Sequence, residues 1–197
     1  MTAQHRRVSD KDLVDVLLTD HREIETLFRR WESADITATE RRTLTDVAIA
    51  ELVRHAVAEE EYLYPTIQEI LPDGVAVAER EIAAHAEVER LMKDLEARDA
   101  EDPDFLATGR SLIAAVRAHV AEEEAELFPA LREACAPSTL ERLAGMAEMA
   151  KASAPTRPHP SAPDHPPWNM LLAPGLGLVD RLRDALRSRP THAEDLR

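Results

Sequence analysis

Leu13, Val16, Leu17, Ile24, Leu27 and Phe28 recur every three to four residues behind Ser9 and Asp12, which predicts an amphipathic helix running to about residue 32. A second periodic stretch starts near Thr37 or Thr39 and carries Leu44, Val47, Ala48, Leu52, His55, Glu59 and Tyr62 down one side until Pro65, which is expected to kink or end it. The turn signal Pro72-Asp73-Gly74 introduces a third segment from about Val75 to Arg98. Asp102-Pro103 then supplies an N-cap and a first-turn proline for a fourth, running to Pro129 or just beyond. Pro137 opens a short fifth helix with Leu140, Leu143, Met146 and Met149, expected to pack against one end of the others.

Two stretches of this pattern repeat. Residues 21–32, HREIETLFRRWE, align without a gap on residues 85–96, HAEVERLMKDLE, at an offset of 64. The same offset lays RHAVAEEEYLYP, from Arg54, over AHVAEEEAELFP, from Ala118, so that His55 meets His119, Glu59 meets Glu123 and Pro65 meets Pro129. A duplicated helical hairpin buries its apolar faces against its twin, and the connections are short enough for antiparallel neighbours. The fold predicted is all-α: an up-down-up-down antiparallel four-helix bundle with a short fifth helix and a proline-rich tail.

The expected division is 1–152 for the bundle with its fifth helix and 153–197 for the tail. The run SAPTRPHPSAPDHPP, residues 153–167, holds too much proline for a helix and reads as an extended linker without a core of its own. Beyond Gly175 and Gly177, Leu178, Leu182, Ala185 and Leu186 share a face, with Arg181, Arg183 and Arg187 elsewhere. That segment reads as a helix docked back on the bundle, or as a contact for a protein partner or a membrane surface.

Composition and charge remove several classes of function. Five glycines and 4% aromatic residues disfavour sheet. A formal charge of −14 repels nucleic acid and anionic lipid, and no basic stripe offsets it in the first 150 residues. The opening MTAQHRRVSDKD has no apolar run for a signal peptide, and no stretch is apolar enough for a membrane span, so a cytoplasmic location is expected. Cys135, the one cysteine, rules out an internal disulfide or a thiolate cluster and reads as a small packed residue. Nucleophile elbows and glycine-rich phosphate loops are missing from the chain.

Candidate chemistry lies in the histidines. His21, His55, His85 and His119 are each followed four residues later by Glu25, Glu59, Glu89 and Glu123, positions that share a helix face. Glutamate fills 20 of the 115 positions from 20 to 134, so four such matches would arise by chance on the order of once in a thousand. Several carboxylates buried together need positive charge, and no lysine or arginine repeats beside them. Cations meet that need, and imidazoles with bridging carboxylates suit iron, with manganese as the second candidate. Tyr62, seven residues after His55, falls on the same face or packs as a core aromatic near the bundle end.

Over residues 10 to 135 these motifs resemble the hemerythrin-like HHE cation-binding domains. The resemblance implies two non-haem iron ions held by His21, His55, Glu59, His85, His119 and Glu123, with Glu59 and Glu123 bridging. Tyr64-Pro65 and Phe128-Pro129 match the aromatic-proline pairs of that family. The oxygen carriers of the family place a fifth histidine one turn after the third-helix histidine, where this chain has Glu89. A more anionic donor set favours oxidised iron, which turns the expectation away from simple O2 carriage and toward peroxide or nitric oxide chemistry. Glu124 competes with Glu123 because the oxygen carriers space that carboxylate one residue further on; Glu123 is preferred because it mirrors Glu59. Glu25 and Glu89 remain further candidates, and Glu60, Glu61 and Glu124 read as a solvated acidic face. The function expected is a di-iron protein that binds or turns over O2, peroxide or nitric oxide, with an iron-responsive sensing or homeostasis module as the alternative.

Overall fold

The structure, a computed structural model, describes residues 11–159, 178, 180, 183–185 and 189–196. Ser9, the two late glycines, Leu182 and Leu186 lie outside them. The described residues contain helices and no strand.

Helix α1 (Leu13–Trp31) starts at Asp12, whose carboxylate accepts from the Asp15 N–H while the Asp15 carboxylate accepts from that of Asp12. This reciprocal cap satisfies two of the amides that a helix start leaves unpaired. Thr37 and Glu40 do the same for α2 (Ala38–Ala58). Helix α4 (Gly74–Ala97) follows the predicted turn, and α5 (Pro103–Glu122) is capped by Asp102 as its sequence predicts. Helix α7 (Pro137–Ser153) carries Leu140, Leu143, Ala144, Ala147 and Ala150 inward and packs on α1 and α2.

Neither Pro65 nor Pro129 ends its helix. A wide π-turn, Glu59–Leu63, joins α2 to α3 (Tyr64–Ile70), and a second, Glu123–Leu127, joins α5 to α6 (Phe128–Ala134). Each π-turn places its extra residue just ahead of the proline, where the ordinary hydrogen-bond ladder is already displaced, so the missing proline N–H disrupts little. The four rods α1, α2–α3, α4 and α5–α6 form the bundle, with α7 laid against it.

The apolar side chains separate into two cores. One gathers Ile24, Leu27, Phe28 and Trp31 with Leu44, Val47, Leu52, Met92, Leu95, Phe105 and Ile113. The other gathers Leu13 and Leu17 with Leu63, Tyr64, Ile67, Leu127, Phe128, Leu131, Leu140 and Leu143. His21 stands on α1 between Leu17 of one core and Ile24 of the other, and the other three histidines join it in a polar layer between the two.

The start of the proline-rich run differs from its expected role. Ala154 to Pro158 are buried, with Arg157 paired to Glu96 at 2.8 Å. Farther on, Leu178 and Ala185 are exposed while Asp180 and Asp184 are buried. Arg157 and Arg189 both reach Asp184, and Arg189 also reaches Asp46 at 3.2 Å. Among its described residues, this segment meets the rest of the chain through ion pairs, Asp184 with Arg157 and Arg189 with Asp46.

Gly109 lets α5 approach the Trp31 indole, which is fixed by a 2.9 Å hydrogen bond to Thr45 Oγ1; a Cβ at 109 would stand 2.3 Å from the ring. Gly109→Ala is expected to lower unfolding stability in urea by about 1–3 kcal/mol. An unchanged urea midpoint would show that the indole can swing aside.

Candidate metal centre

Each rod of the bundle contributes one histidine to the polar layer. His21 and His55 bring their Nε2 atoms 3.2 Å apart with the rings nearly edge-to-face, and His85 and His119 repeat this at 3.2 Å. The two pairs obey the two-fold relation of the sequence repeat. Between them lie Glu59 and Glu123, both with no exposed surface at all. Glu59 Oε1 is 3.1 Å from His55 Nε2 and its Oε2 is 3.2 Å from His85 Nε2, so one carboxylate touches both pairs. Glu123 Oε2 does likewise, 3.4 Å from His21 Nε2 and 3.5 Å from His119 Nε2.

The π-turns place these carboxylates. Each begins at the inner glutamate, and the N–H of Tyr64 or Phe128 reaches back five residues to the carbonyl of Glu59 or Glu123. The added residue turns the following side chains around the rod relative to an α-helix. Tyr64 thereby enters the layer, its hydroxyl 2.9 Å from His85 Nε2 and 3.4 Å from Glu59 Oε2. Phe128, its counterpart in the repeat, stacks on the His21 ring at 5.5 Å. Tyr62, which α-helical spacing would aim inward, is half-buried at the bundle surface beside Glu61.

Behind each imidazole stands a carboxylate. Nδ1 of His21 is 2.9 Å from Glu124, that of His85 3.0 Å from Glu60, that of His55 3.4 Å from Asp20 and that of His119 3.1 Å from Glu81. A carboxylate at Nδ1 fixes the ring and leaves Nε2 as the inward donor, the arrangement that orients metal-ligating histidines. Glu124 thus stands behind His21, while Glu123 occupies the centre. Glu25 pairs instead with Arg29 and Arg117 at 2.8 and 2.9 Å, and Glu89 accepts the His159 backbone N–H at 2.7 Å.

Sequence reasoning passed over Tyr64, Asp20, Glu60 and Glu81 as site groups. Glu60 and Glu124 are related by the repeat, which was the signal available for them. Asp20 and Glu81 have no repeat partners, since the offset of 64 places Ala84 and Leu17 opposite them.

The layer is electrostatically demanding. Burial opposes charge on His55, but the Glu59 and Asp20 carboxylates outweigh it and push its pKa up to about 10. His85 rises to about 10 against the same burial, beside Glu59 and Glu60, and His119 to about 9 beside Glu59, Glu81 and Glu123. Despite its own burial, Glu59 is held well below the usual carboxylate range by His55, His119 and His85. Burial and the neighbouring Glu59 push Glu123 up. Oε1 of Glu59 and both oxygens of Glu123 make no hydrogen bond among the described residues, a costly condition for buried acceptors. His21, His55, Glu59 and Glu123 each place one ligand atom within 4.8 Å of the others, as do Glu59, His85 and His119, and also Glu81, His119 and Glu123. These unpaired oxygens facing imidazole Nε2 atoms fit a cation.

The chain belongs to the hemerythrin family: the hemerythrin HHE cation binding domain model matches residues 12–131. It is 28% identical over 177 residues to a hemerythrin-like protein of Schizosaccharomyces pombe, covering 89% of this chain and 87% of that one. A DNA nickase of a Nostoc species is 27% identical over 143 residues, 73% of this chain but only 40% of the nickase. Among solved structures, a hemerythrin HHE cation binding domain-containing protein from Mycobacterium kansasii superposes with a TM-score of 0.62 at 24% identity, covering 73% of this chain and 89% of that one, which shows the shared fold.

In the metal-free protein the raised histidine pKa values make a pH prediction. A group whose pKa rises on folding stabilises fully below its unfolded value, here the ordinary 6.5, and that contribution is lost as pH climbs through the folded values of about 9 to 10. Thermal melts of chelator-stripped protein are expected to fall steadily from about pH 7 to about pH 9 and to level off towards pH 10, where the folded histidines lose their protons as well, and His55→Gln to flatten part of that slope. A melting temperature constant from neutral pH to about pH 10 would overturn the protonated network.

Proposed function

We propose that the polar layer holds two iron ions and that this centre interacts with a small oxidant, O2, peroxide or nitric oxide. The observation that carries the reading is the pair of wholly buried carboxylates, Glu59 and Glu123, each reaching toward both imidazole pairs. Four imidazole nitrogens and two carboxylates form a donor set of borderline hardness, suited to iron first and manganese second. His21 and His55 would hold one ion, His85 and His119 the other, with Glu59 and Glu123 shared. Iron held there would supply Lewis acidity and accessible one-electron redox change.

The protein's own groups shape what such a centre can do. Two apolar cores flank the layer and restrict water, which strengthens every charge interaction within it. The Tyr64 hydroxyl is the one phenol in contact with the layer among the described residues, and burial beside Glu59 and Glu123 pushes its pKa well up, so it keeps its proton and can donate a hydrogen bond at the His85 end. A cavity of about 320 Å³ opens between α1 and α5 against His21 and Glu124, floored by Ile24, Phe28, Val116 and Val120. It offers a small ligand a route to the His21 end.

Protein purified without chelators is expected to carry about two irons per chain, from the two imidazole pairs, with a visible spectrum that changes on adding peroxide. No metal, or a single zinc, would overturn the reading. Two irons with stability that tracks occupancy and no response to peroxide, O2 or nitric oxide would favour the iron-responsive module. His55→Ala and Glu59→Ala are each expected to lose at least one ion, measured by elemental analysis, while His159→Ala retains both. Unchanged iron in the first two variants would remove these residues from the centre.

A further inference from the structure

Helix α7 lies beyond the residues that the family model matches, yet its last turn reaches the metal centre. Leu140, Leu143, Ala147 and Ala150 seat it on α1 and α2, and this docking delivers Lys151 to Asp20. Both partners are shielded, the Lys151 side chain at 20% exposure and that of Asp20 at 9%. Lys151 binds one Asp20 oxygen, and the other faces His55 Nδ1 at 3.4 Å. The result is a chain of contacts from α7 through α1 to a histidine on α2.

Among the described residues, the other half of the bundle has no equivalent. Glu81, which serves His119, is countered by its neighbour Arg80 at 3.0 Å, and Arg80 is half-exposed and shared with Glu122 at 2.8 Å. A mobile, hydrated guanidinium restrains its partner less than a shielded ammonium fixed by a packed helix. Without Lys151, Asp20 would be a buried carboxylate with only the long His55 contact, and it would turn toward solvent or take up water, releasing the His55 ring.

We propose that Lys151 is a positioning residue that acts through Asp20 to fix the ring orientation of His55, making the His21–His55 end of the centre the tighter of two unlike cation sites. The unequal affinities rest on the two-ion reading above; the fixing of His55 does not.

The test uses the full-length chain, stripped of metal and titrated with Co(II) against a competing chelator. Wild type is expected to bind two ions, and Lys151→Met to weaken one of them by about 10–100-fold, the usual effect of removing a group that orients a ligand. Lys151→Arg is expected to restore it, and Arg80→Met to affect the other ion more weakly. Ring-nitrogen NMR of the metal-free protein supplies a readout independent of metal: the His55 Nδ1–H signal is expected to be protected in wild type and lost in Lys151→Met, with that of His85 unchanged. A Lys151→Met variant that melts earlier but keeps the His55 signal and both affinities, or loses both affinities equally, would reduce Lys151 to a staple for α7. A wild type that binds fewer than two ions while the His55 signal still depends on Lys151 would sink the two-ion reading and leave the positioning role standing.

Discussion

Everything in this bundle is arranged around two carboxylates that have no contact with water. Glu59 and Glu123 sit at the middle of a structure otherwise divided into two apolar cores, and an isolated carboxylate in such a place would simply take up a proton. Four imidazoles facing them alter that balance, and four further carboxylates behind the imidazoles alter it again. The helices must deliver ten ionisable side chains to one layer, where the central carboxylate oxygens that make no hydrogen bond face the imidazole Nε2 atoms. Short connections, capped helix starts and the close seat of Trp31 on Gly109 fix the register that this delivery requires.

The repeat supplies most of the layer twice, and the departures from it are where the two ends become chemically distinct. His21 stacks on Phe128 where His85 meets the Tyr64 hydroxyl. One end therefore has an apolar neighbour and the other a proton donor. Asp20 and Glu81 solve the same problem from unrelated positions, one residue before His21 and four before His85, because both offsets bring a side chain near the facing histidine of the next rod. Duplication gave a symmetric scaffold, and single residues then made its halves unequal.

Histidine and glutamate spacing made the helices, their order and the inner cluster readable, because i and i+4 share a face on any regular helix. The π-turns were not readable: nothing in the run from Glu59 to Leu63 announces an extra residue per turn, and α-helical counting therefore put Tyr62 on the inner face as one of two readings, where the wider turn presents Tyr64 and leaves Tyr62 packed at the edge of one core. Asp20 escaped for another reason. Its role depends on which helix lies opposite, a tertiary fact that one helix's periodicity does not contain. In the tail the leucines drew the eye, whereas among the described residues from 178 onward the buried side chains are Asp180 and Asp184, with Asp184 held by Arg157 and Arg189, pairings that depend on tertiary placement and not on the segment's own periodicity.

Protons and cations compete for the same layer, and the outer carboxylates act on both. A carboxylate at Nδ1 raises the proton affinity of an imidazole and also makes its Nε2 a stronger donor to a metal, so loading at neutral pH has to expel protons that the same groups hold tightly. Protons held on His55, His85 and His119 bring three positive charges, one fewer than two divalent ions. Simple charge balance therefore gives divalent ions only a small advantage over these protons, and their binding rests mainly on the bonds to nitrogen and oxygen. Two trivalent ions bring six positive charges towards the six carboxylates of Glu59, Glu123, Asp20, Glu60, Glu81 and Glu124, of which Asp20 is partly countered by Lys151 and Glu81 by Arg80. On the proposed reading, the ring of carboxylates behind the histidines is thus what biases the centre toward oxidised iron, and that bias grows as the cores exclude water from the layer.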